Sequence, residues 1–533
     1  MAKTARDVQL KELKDTIKEL RETIAVLNKT IIEGQKREAV LREQVDFLTK
    51  KLFGSSGEKR NTQIEGQLGL FNEAEVERDS GVLEGQLIRE HTRKKKATNE
   101  EKFKDIPSKK KIIHLPDEKC NCDICGAMMT VIGYEHVRDE IDFTPAKLTK
   151  IDLCREVRNC PECTKESNEA NIIKADVPEP LMPKSFATEF LVAWVMYQKY
   201  ANAIPLYRQE RDWRQYGLHT SRTTLANWII NCAPYFRPLY EYFHRKLLER
   251  TFVMADETRV QVLKEPGRSA QTDSFMWLYR SGEDGLDRIL LYEYTPTRNG
   301  DNAVSFLTGF KGYLMTDGFA GYNKLDDVTH CCCFAHIRRK FFDAIPEGHK
   351  DDLNDPAVQG VMYCDKLFEI ERKMNEKNLT GDKRTEYRKK KAESVIDAFC
   401  EWLDKQNPLM KSGLDKAITY AQNRRPYMKN YLEDGRCSLS NNLSENAIRP
   451  FAVGRKNWLF SDSVDGAEAS ATIYTMVEMA KAHDVNIYHY LAYVMEQRPN
   501  NNWTDEQLER IAPWNEAVKG AIKEHMSVRQ ADE

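Results

Sequence analysis

The sequence has almost no net charge, no apolar signal-like start and no apolar run long enough to cross a bilayer, and each absence removes a class of protein. Lys and Arg number 81 against 83 Asp and Glu, a formal charge of −2 over 533 residues. The whole-chain balance therefore selects no partner, and any nucleic-acid surface must be a local patch. The opening "MAKTARDVQL" lacks the apolar region of a signal peptide. The longest obvious apolar run, "FLVAWVMY" at residues 190–197, falls well short of the ~20 residues that a spanning helix needs. The expectation is a soluble, cytoplasmic chain whose 13 cysteines are reduced thiols or metal ligands rather than disulfides. What is present is 41% apolar residues, enough for folded cores, and 31% charged residues, which implies much solvated helix. The length implies three or four units.

The first unit is periodic. Leu10, Ile17, Ile24, Ile31, Val45 and Leu52 share one heptad position, and Leu13, Leu20, Leu27, Leu41 and Leu48 share the other. The register passes through two misfits, Gly34 and Glu38, and resumes. Mostly β-branched residues at a with Leu at d favour a parallel two-stranded coiled coil, so residues 1–53 are expected to be a dimerisation helix. The alternative is a long helix packed on its own chain. Gly54 and Gly57 end the pattern. Residues 54–111 read as a linker without sustained periodicity. It ends in a basic run from Arg93 to Lys111, with nine Lys or Arg residues against three acids. Such a run is either a solvated tail or a phosphate contact.

Residues 112–175 carry the cysteine pairs Cys122-x-x-Cys125 and Cys160-x-x-Cys163, 34 residues apart. In an intracellular chain this spacing is that of a tetrahedral zinc site with four cysteine ligands, with strand-rich sequence between the pairs as in a zinc ribbon. Such a zinc would be structural, because four thiolates leave no open position. Cys120 and Cys154 are spare and could replace a ligand. Residues 176–250 read as helical. Within them "IPLYRQERDWRQYGLHTSRTTLANWI" at 204–229 gives a helix opened by Pro205, a break at Gly217 and a second helix capped by Ser221. That order describes a helix-turn-helix. Arg222 is the one cation of the second helix, so a purely structural helix pair stays open.

Beyond residue 250 the periodicity changes. Residues 251–263, 274–281 and 288–296 read as three strands, a short helix comes next around 300–308, and two more strands lie within 312–322 and 328–342, the last running into a basic helix. This is the element order of a ribonuclease H-like α/β fold. Asp256 follows an apolar run on the first strand and Asp317 follows one on the fourth; in that fold these strands are neighbours. Two carboxylates held together are costly unless a cation neutralises them, and hard oxygen donors suit Mg2+ or Mn2+. A third carboxylate would hold a second metal for an in-line phosphoryl displacement. Glu445, in "SLSNNLSENAIRPF" at 438–451, stands where that acid is needed. Its plainer reading is a capping box with Asn442 and an i,i+4 pair with Arg449. The Lys- and Glu-rich stretch at about 350–412 reads as a helical insertion, as well explained by a solvated spacer as by DNA contact.

These motifs run together along the chain: the zipper ending in "LFGSSGEKR", the cysteine module, "LYRQE", "ADET", "TDGFAGY", "AHIRRKF", "NNLSENAIRPFAVGRKNWLF" and "APWN". In this the sequence resembles the large transposase of the insertion-sequence-66 family, the TnpC type. The resemblance implies a DDE catalytic domain over residues 251–490, with Asp256, Asp317 and Glu445 as its triad holding two Mg2+, and a C-terminal tail over 491–533. It implies a bacterial, nucleoid-associated enzyme that cleaves and transfers DNA strands at the element's terminal inverted repeats, acting on double-stranded DNA as a homodimer or higher oligomer. Small accessory proteins of the same element would be further partners. His336, Arg338 and Arg339 match the family's basic helix. With Arg449, Arg455 and Lys456 they are the expected phosphate contacts, their plain role being surface charge, and for His336 a packed structural histidine. The cluster Cys331–Cys333 departs from the family pattern. Two other readings stay open, a catalytically silent DNA-binding regulator and a stand-alone nuclease of the same fold.

Overall fold

A computed structural model describes residues 148, 150–159, 172–174, 176 and 178–531. The heptad segment, the basic linker and the expected zinc ligands Cys122, Cys125, Cys160 and Cys163 lie outside the described residues. The chain divides into two compact units, residues 69–153 and residues 1–68 with 154–533. In the first, the described residues contain one exposed ion pair, Lys150 to Asp152 at 2.9 Å, of little energetic weight in water. All the described helices and strands belong to the second unit.

Its described part begins with a short antiparallel ladder of β1 (Val157–Asn159) and β2 (Ile172–Lys174). Helices α1 (Glu189–Tyr200), α2 (Leu206–Gln215) and α3 (Arg222–Leu248) come next. Ser221 caps α3 by accepting from the Thr224 N–H at 3.1 Å, and Gly217 takes φ +82° at the preceding break, where a side chain would be strained. Instead of a short recognition helix, α3 runs 27 residues through Pro234 and Pro238. Its inner face buries Leu225, Trp228, Phe236, Leu239, Phe243 and Leu247 in the same core as the sheet. Burial on that scale holds together a helix that two prolines would otherwise break.

The sheet consists of β3 (Phe252–Lys264), β4 (Asp273–Ser281), β5 (Leu290–Thr295), β6 (Tyr313–Thr316) and β7 (Thr329–Cys332), in the order β5-β4-β3-β6-β7. The pairs β3/β4 and β4/β5 are antiparallel, whereas β3/β6 and β6/β7 are parallel. Helix α4 (Gly300–Phe306) makes the crossover into the parallel half. Alternation along β3 serves two cores: Val253 and Ala255 join one, Phe252 and Met254 the other.

The second core is formed with helices α5 (Phe334–Phe342), α6 (Pro356–Glu376), α8 (Glu393–Lys405) and α9 (Gly413–Arg424), while α7 (Gly381–Lys391) adds the buried Arg388. The segment beyond α5 is therefore no solvated spacer. Val361, Cys364, Leu367, Ile396, Phe399 and Leu403 bury themselves against Phe334, Ile337 and Phe341 of α5, and the helical segment continues past residue 412 to the end of α9.

Helix α10 (Asn442–Trp458) then returns to the sheet, succeeded by β8 (Ser461–Ser463), which pairs with the far end of β3, and α11 (Val464–Ala482). Alanine, serine and threonine on α11 let it pack while buried on nearly every side. Its Thr475 hydroxyl accepts from the Tyr292 N–H at 2.9 Å, satisfying edge strand β5. Helices α12 (Ile487–Gln497), α13 (Asp505–Arg510) and α14 (Glu516–Ala531) close the chain. Residues 491–533 are no loose tail where described: Leu508, Ile511 and Ala512 are buried, and Trp514 packs on Phe243 at 5.1 Å between ring centroids. No helix among the described residues is long and apolar enough to cross a membrane.

Candidate active site

The site is assembled at one end of the parallel strands. Met254 of β3 pairs with Met315 of β6, and two residues further along each strand stand Asp256 and Asp317. Equal steps on parallel neighbours keep the two at matching positions. β6 ends at Thr316, so Asp317 heads the turn that leaves the sheet. Its Oδ1 accepts from the Phe319 N–H at 2.8 Å, an Asx turn, and its carbonyl accepts from the Tyr420 hydroxyl at 2.7 Å. Gly318 has φ +93°, and a Cβ there would run into the guanidinium of Arg424, which donates to the Gly318 carbonyl. Only glycine fits both constraints.

Glu445 arrives on the first turn of α10, and its local geometry overturns the capping-box expectation. The N-cap is Asn441, not Asn442, and no side chain caps the helix. A box needs its acid at the third helical position, whereas Glu445 is the fourth. Asn441 instead ties the helix to the sheet. It is fully buried, and its Nδ2 donates to the Ala255 carbonyl at 3.0 Å, next to Asp256. Glu445 is thereby free to face the aspartates. Its side chain is 14% exposed, Oε1 is buried without a hydrogen-bond partner, and His336 Nε2 and Arg339 Nη2 face it at 3.6 Å and 3.9 Å.

The other two acids act on Asp256. Burial raises the Asp256 carboxyl well above its usual range, and the charges of Glu257, Asp317 and Glu445 raise it further, against a lowering hydrogen bond from the Glu257 N–H. Burial lowers the His336 imidazole, but Cys333, Glu445 and Asp317 outweigh it and push the group up to about 9. A cluster of hard oxygen donors that repel one another, one of them carrying an unpartnered buried oxygen, fits divalent cations such as Mg2+ or Mn2+.

Glu257, the next residue of β3, escaped the sequence reading. It pairs with Arg298, whose Nε lies 2.8 Å away, and accepts from the Tyr322 hydroxyl at 2.7 Å. Arg298 also covers the Phe319 ring at 4.1 Å, bracing the Asp317 turn. Asn441 escaped as well; the doubled asparagine in "SNNLSEN" was its trace, obscured by the choice of Asn442 as the cap.

The expected DNA contacts are scattered. Arg339 and His336 stand at the acids, whereas Arg338 faces Asp365 at 2.5 Å. Arg449 is half-buried in the middle of α10. Arg455 reaches the Thr258 hydroxyl at 3.5 Å, and Lys456 is exposed in the last turn. Arg222 is exposed at the start of α3, where its N–H donates to Glu210 at 3.2 Å. The departing cysteines Cys331, Cys332 and Cys333 are buried, and Cys154 is exposed.

Fold and site together define a mixed α/β protein in which Asp317, at the end of β6, and Glu445, on α10, both act on the charge of Asp256 on β3. Residues 184–469 match the profile of the Transposase IS66 family, and residues 119–164 match the zinc-finger binding domain of transposase IS66. The chain belongs to the IS66 family of transposases. It is 26% identical over 496 residues to Uncharacterized protein y4qI of Sinorhizobium fredii (strain NBRC 101917 / NGR234), covering 90% of this chain and 89% of that one. It is 27% identical over 494 residues to Uncharacterized protein y4jD of the same strain, covering 89% and 94%.

Proposed function

We propose that this transposase is a DDE enzyme with a ribonuclease H-like catalytic domain, cleaving DNA at the ends of an insertion sequence and joining the freed strand to target DNA. The observation that carries the reading is the convergence of Asp256, Asp317 and Glu445, each of the other two acting electrostatically on Asp256. The strand order β5-β4-β3-β6-β7, antiparallel then parallel, supports the fold.

Asp256, Asp317 and Glu445 would hold the divalent cations. Bound Mg2+ or Mn2+ supplies Lewis-acid activation of the attacking oxygen and charge stabilisation of the leaving one. The chain's own part is positional. Asn441 fixes α10 on β3, Tyr420 and Arg424 fix the Asp317 turn, and Glu257 with Arg298 stiffens the strand end. Arg339 offers a cation at the mouth of the acids, where a phosphodiester would lie. The matched zinc-finger region, with Cys122, Cys125, Cys160 and Cys163 as ligands, and the Ser221-capped helix start at Arg222 would bind the element's ends, while the heptads of residues 10–52 would pair two chains.

The test is cleavage and joining of a labelled end fragment by purified protein in Mg2+, run beside a gel shift. Cleavage with joining is expected. Cutting without joining would make the protein a nuclease, and binding with neither would make it a regulator.

A further inference from the structure

Glu445 has a second set of neighbours that phosphoryl transfer does not use. One candidate ligand atom from each of Cys333, His336 and Glu445 lies within 4.8 Å of the other two. His336 Nε2 stands 3.6 Å from Glu445 Oε1, close to the ~3.5 Å that separates ligand atoms around a tetrahedral Zn2+. The chain brings them together for local reasons. Cys333 directly follows β7 and is the N-cap residue of α5, and His336 stands three residues later on the same face of that helix.

The surroundings are polar although closed to water. The Asn441 backbone N–H donates to Cys333 Sγ at 3.1 Å, so the sulfur accepts. Cys333 is only 2% exposed. Around it, Glu445 Oε1 is buried without a hydrogen-bond partner, as are Asn441 Oδ1 and Ser444 Oγ on the turn that delivers Glu445. Buried polar atoms are rarely left so, and several together mark a place meant for something else. A thiolate, an imidazole and a carboxylate are poor company for Mg2+ and good company for Zn2+, with the fourth position open to water.

We propose that Cys333, His336 and Glu445 bind one Zn2+, separate from the zinc-finger region, and that this ion withdraws Glu445 from the aspartates. The second half rests on the DDE reading; the first does not. Zinc would thus be an inhibitor acting through the third carboxylate, and loss of Cys333 or His336 would free Glu445 from that control.

The experiment uses the full chain. Wild type, Cys333→Ser and His336→Gln are equilibrated with micromolar Zn2+, desalted and analysed for zinc per chain, with a melting curve for each. Each variant should retain one zinc fewer than wild type and still melt cooperatively. Equal zinc content in all three would overturn the site. Should Cys333→Ser fail to fold, His336→Gln carries the test alone, since that ring is partly exposed, and wild-type zinc content in it would overturn the site equally. In a parallel arm, micromolar Zn2+ added to the Mg2+ cleavage reaction should slow wild type about tenfold or more by mass action on Glu445 and leave Cys333→Ser nearly unaffected. Equal inhibition of both would overturn the control. Absence of cleavage in Mg2+ alone would sink the DDE reading while the zinc counts still decide the site.

Discussion

Arg388 and Glu445 are both charged side chains held away from water, and their surroundings treat them in opposite ways. The Arg388 guanidinium is fully buried and every N–H it owns is used: two donate to the Glu371 carboxylate at 2.8 Å, and the others to the carbonyls of Tyr431, Asp434 and Cys437 at 2.8–3.1 Å. Glu445 acts as a like charge on Asp256 and faces His336 and Arg339 only at 3.6 Å and 3.9 Å, with one oxygen accepting no hydrogen bond. The two are linked along the chain. The carbonyls that Arg388 gathers belong to the segment leading into α10, so a satisfied charge in the helical insertion fixes the path that presents an unsatisfied one to the sheet. Stability is concentrated where the polar network is complete, and function where it is left open.

The largest expected effects fall on the open side. Glu445→Gln, Asp256→Asn and Asp317→Asn should each lower strand cleavage in Mg2+ by about a hundredfold or more while the fold and end binding persist, because a metal ligand is lost and shape is kept. Cleavage of a labelled end fragment beside a gel shift measures this. Near wild-type cleavage by Glu445→Gln would remove it from the triad. On the closed side, Arg388→Leu should cost about 3–5 kcal/mol of stability, since three carbonyls lose their donor and Glu371 keeps only Arg384, at 2.7 Å. Denaturant melts measure it, and a loss below about 1 kcal/mol would mean that the network does not anchor the segment.

The asymmetry also explains what could be read from sequence. Strands announce themselves by short apolar runs, and Asp256 and Asp317 end such runs, so both acids and the strands' adjacency were legible. Glu445 was legible as a candidate, but its helix start was misread by one residue, because Asn441 and Asn442 are equally good caps on paper. Burial decided otherwise, by giving Asn441 the Ala255 carbonyl. The role of residues 350–424 was not legible. Its Lys- and Glu-rich surface hides the stripe of Val361, Leu367, Ile396 and Phe399 that packs on α5. Nor could the run Cys331–Cys333 be assigned, since a buried thiol and a ligand thiol look alike until their neighbours are known.

Glu293 on β5 lies between the two extremes, a buried acid whose charge is avoided. Burial pushes its carboxyl up to about 8 against the attraction of Arg237. The folded value lies above the unfolded one, so the group's contribution to stability is full below the unfolded value of 4.5 and is lost as pH rises through 8. Glu293→Gln should remove that loss, gaining about 4 kcal/mol on wild type between pH 5 and 9, at about 1.4 kcal/mol per pH unit between the two values. Melting curves across that range should converge at the acid end. Parallel curves would mean that Glu293 does not titrate on unfolding.

The smallest effect tests the comparison most directly. If the acids at the strand ends are held together against their own repulsion, neutralising one should stabilise the protein even as it destroys activity. Asp256 is the one to change, because the charges of Glu257, Asp317 and Glu445 all bear on it and its amide isostere keeps the oxygen that accepts from the Glu257 N–H. In chelator-treated protein near neutral pH, Asp256→Asn should melt higher than wild type, by about 1 kcal/mol in stability, the scale of one relieved carboxylate contact at a partly solvated site. Saturating Mg2+ should reverse the order, since the wild-type site then gains binding energy that the variant lacks. An amide variant that melts lower than wild type without metal would show that Asp256 is held by favourable contacts, and the strand ends would then resemble the Arg388 network rather than its opposite.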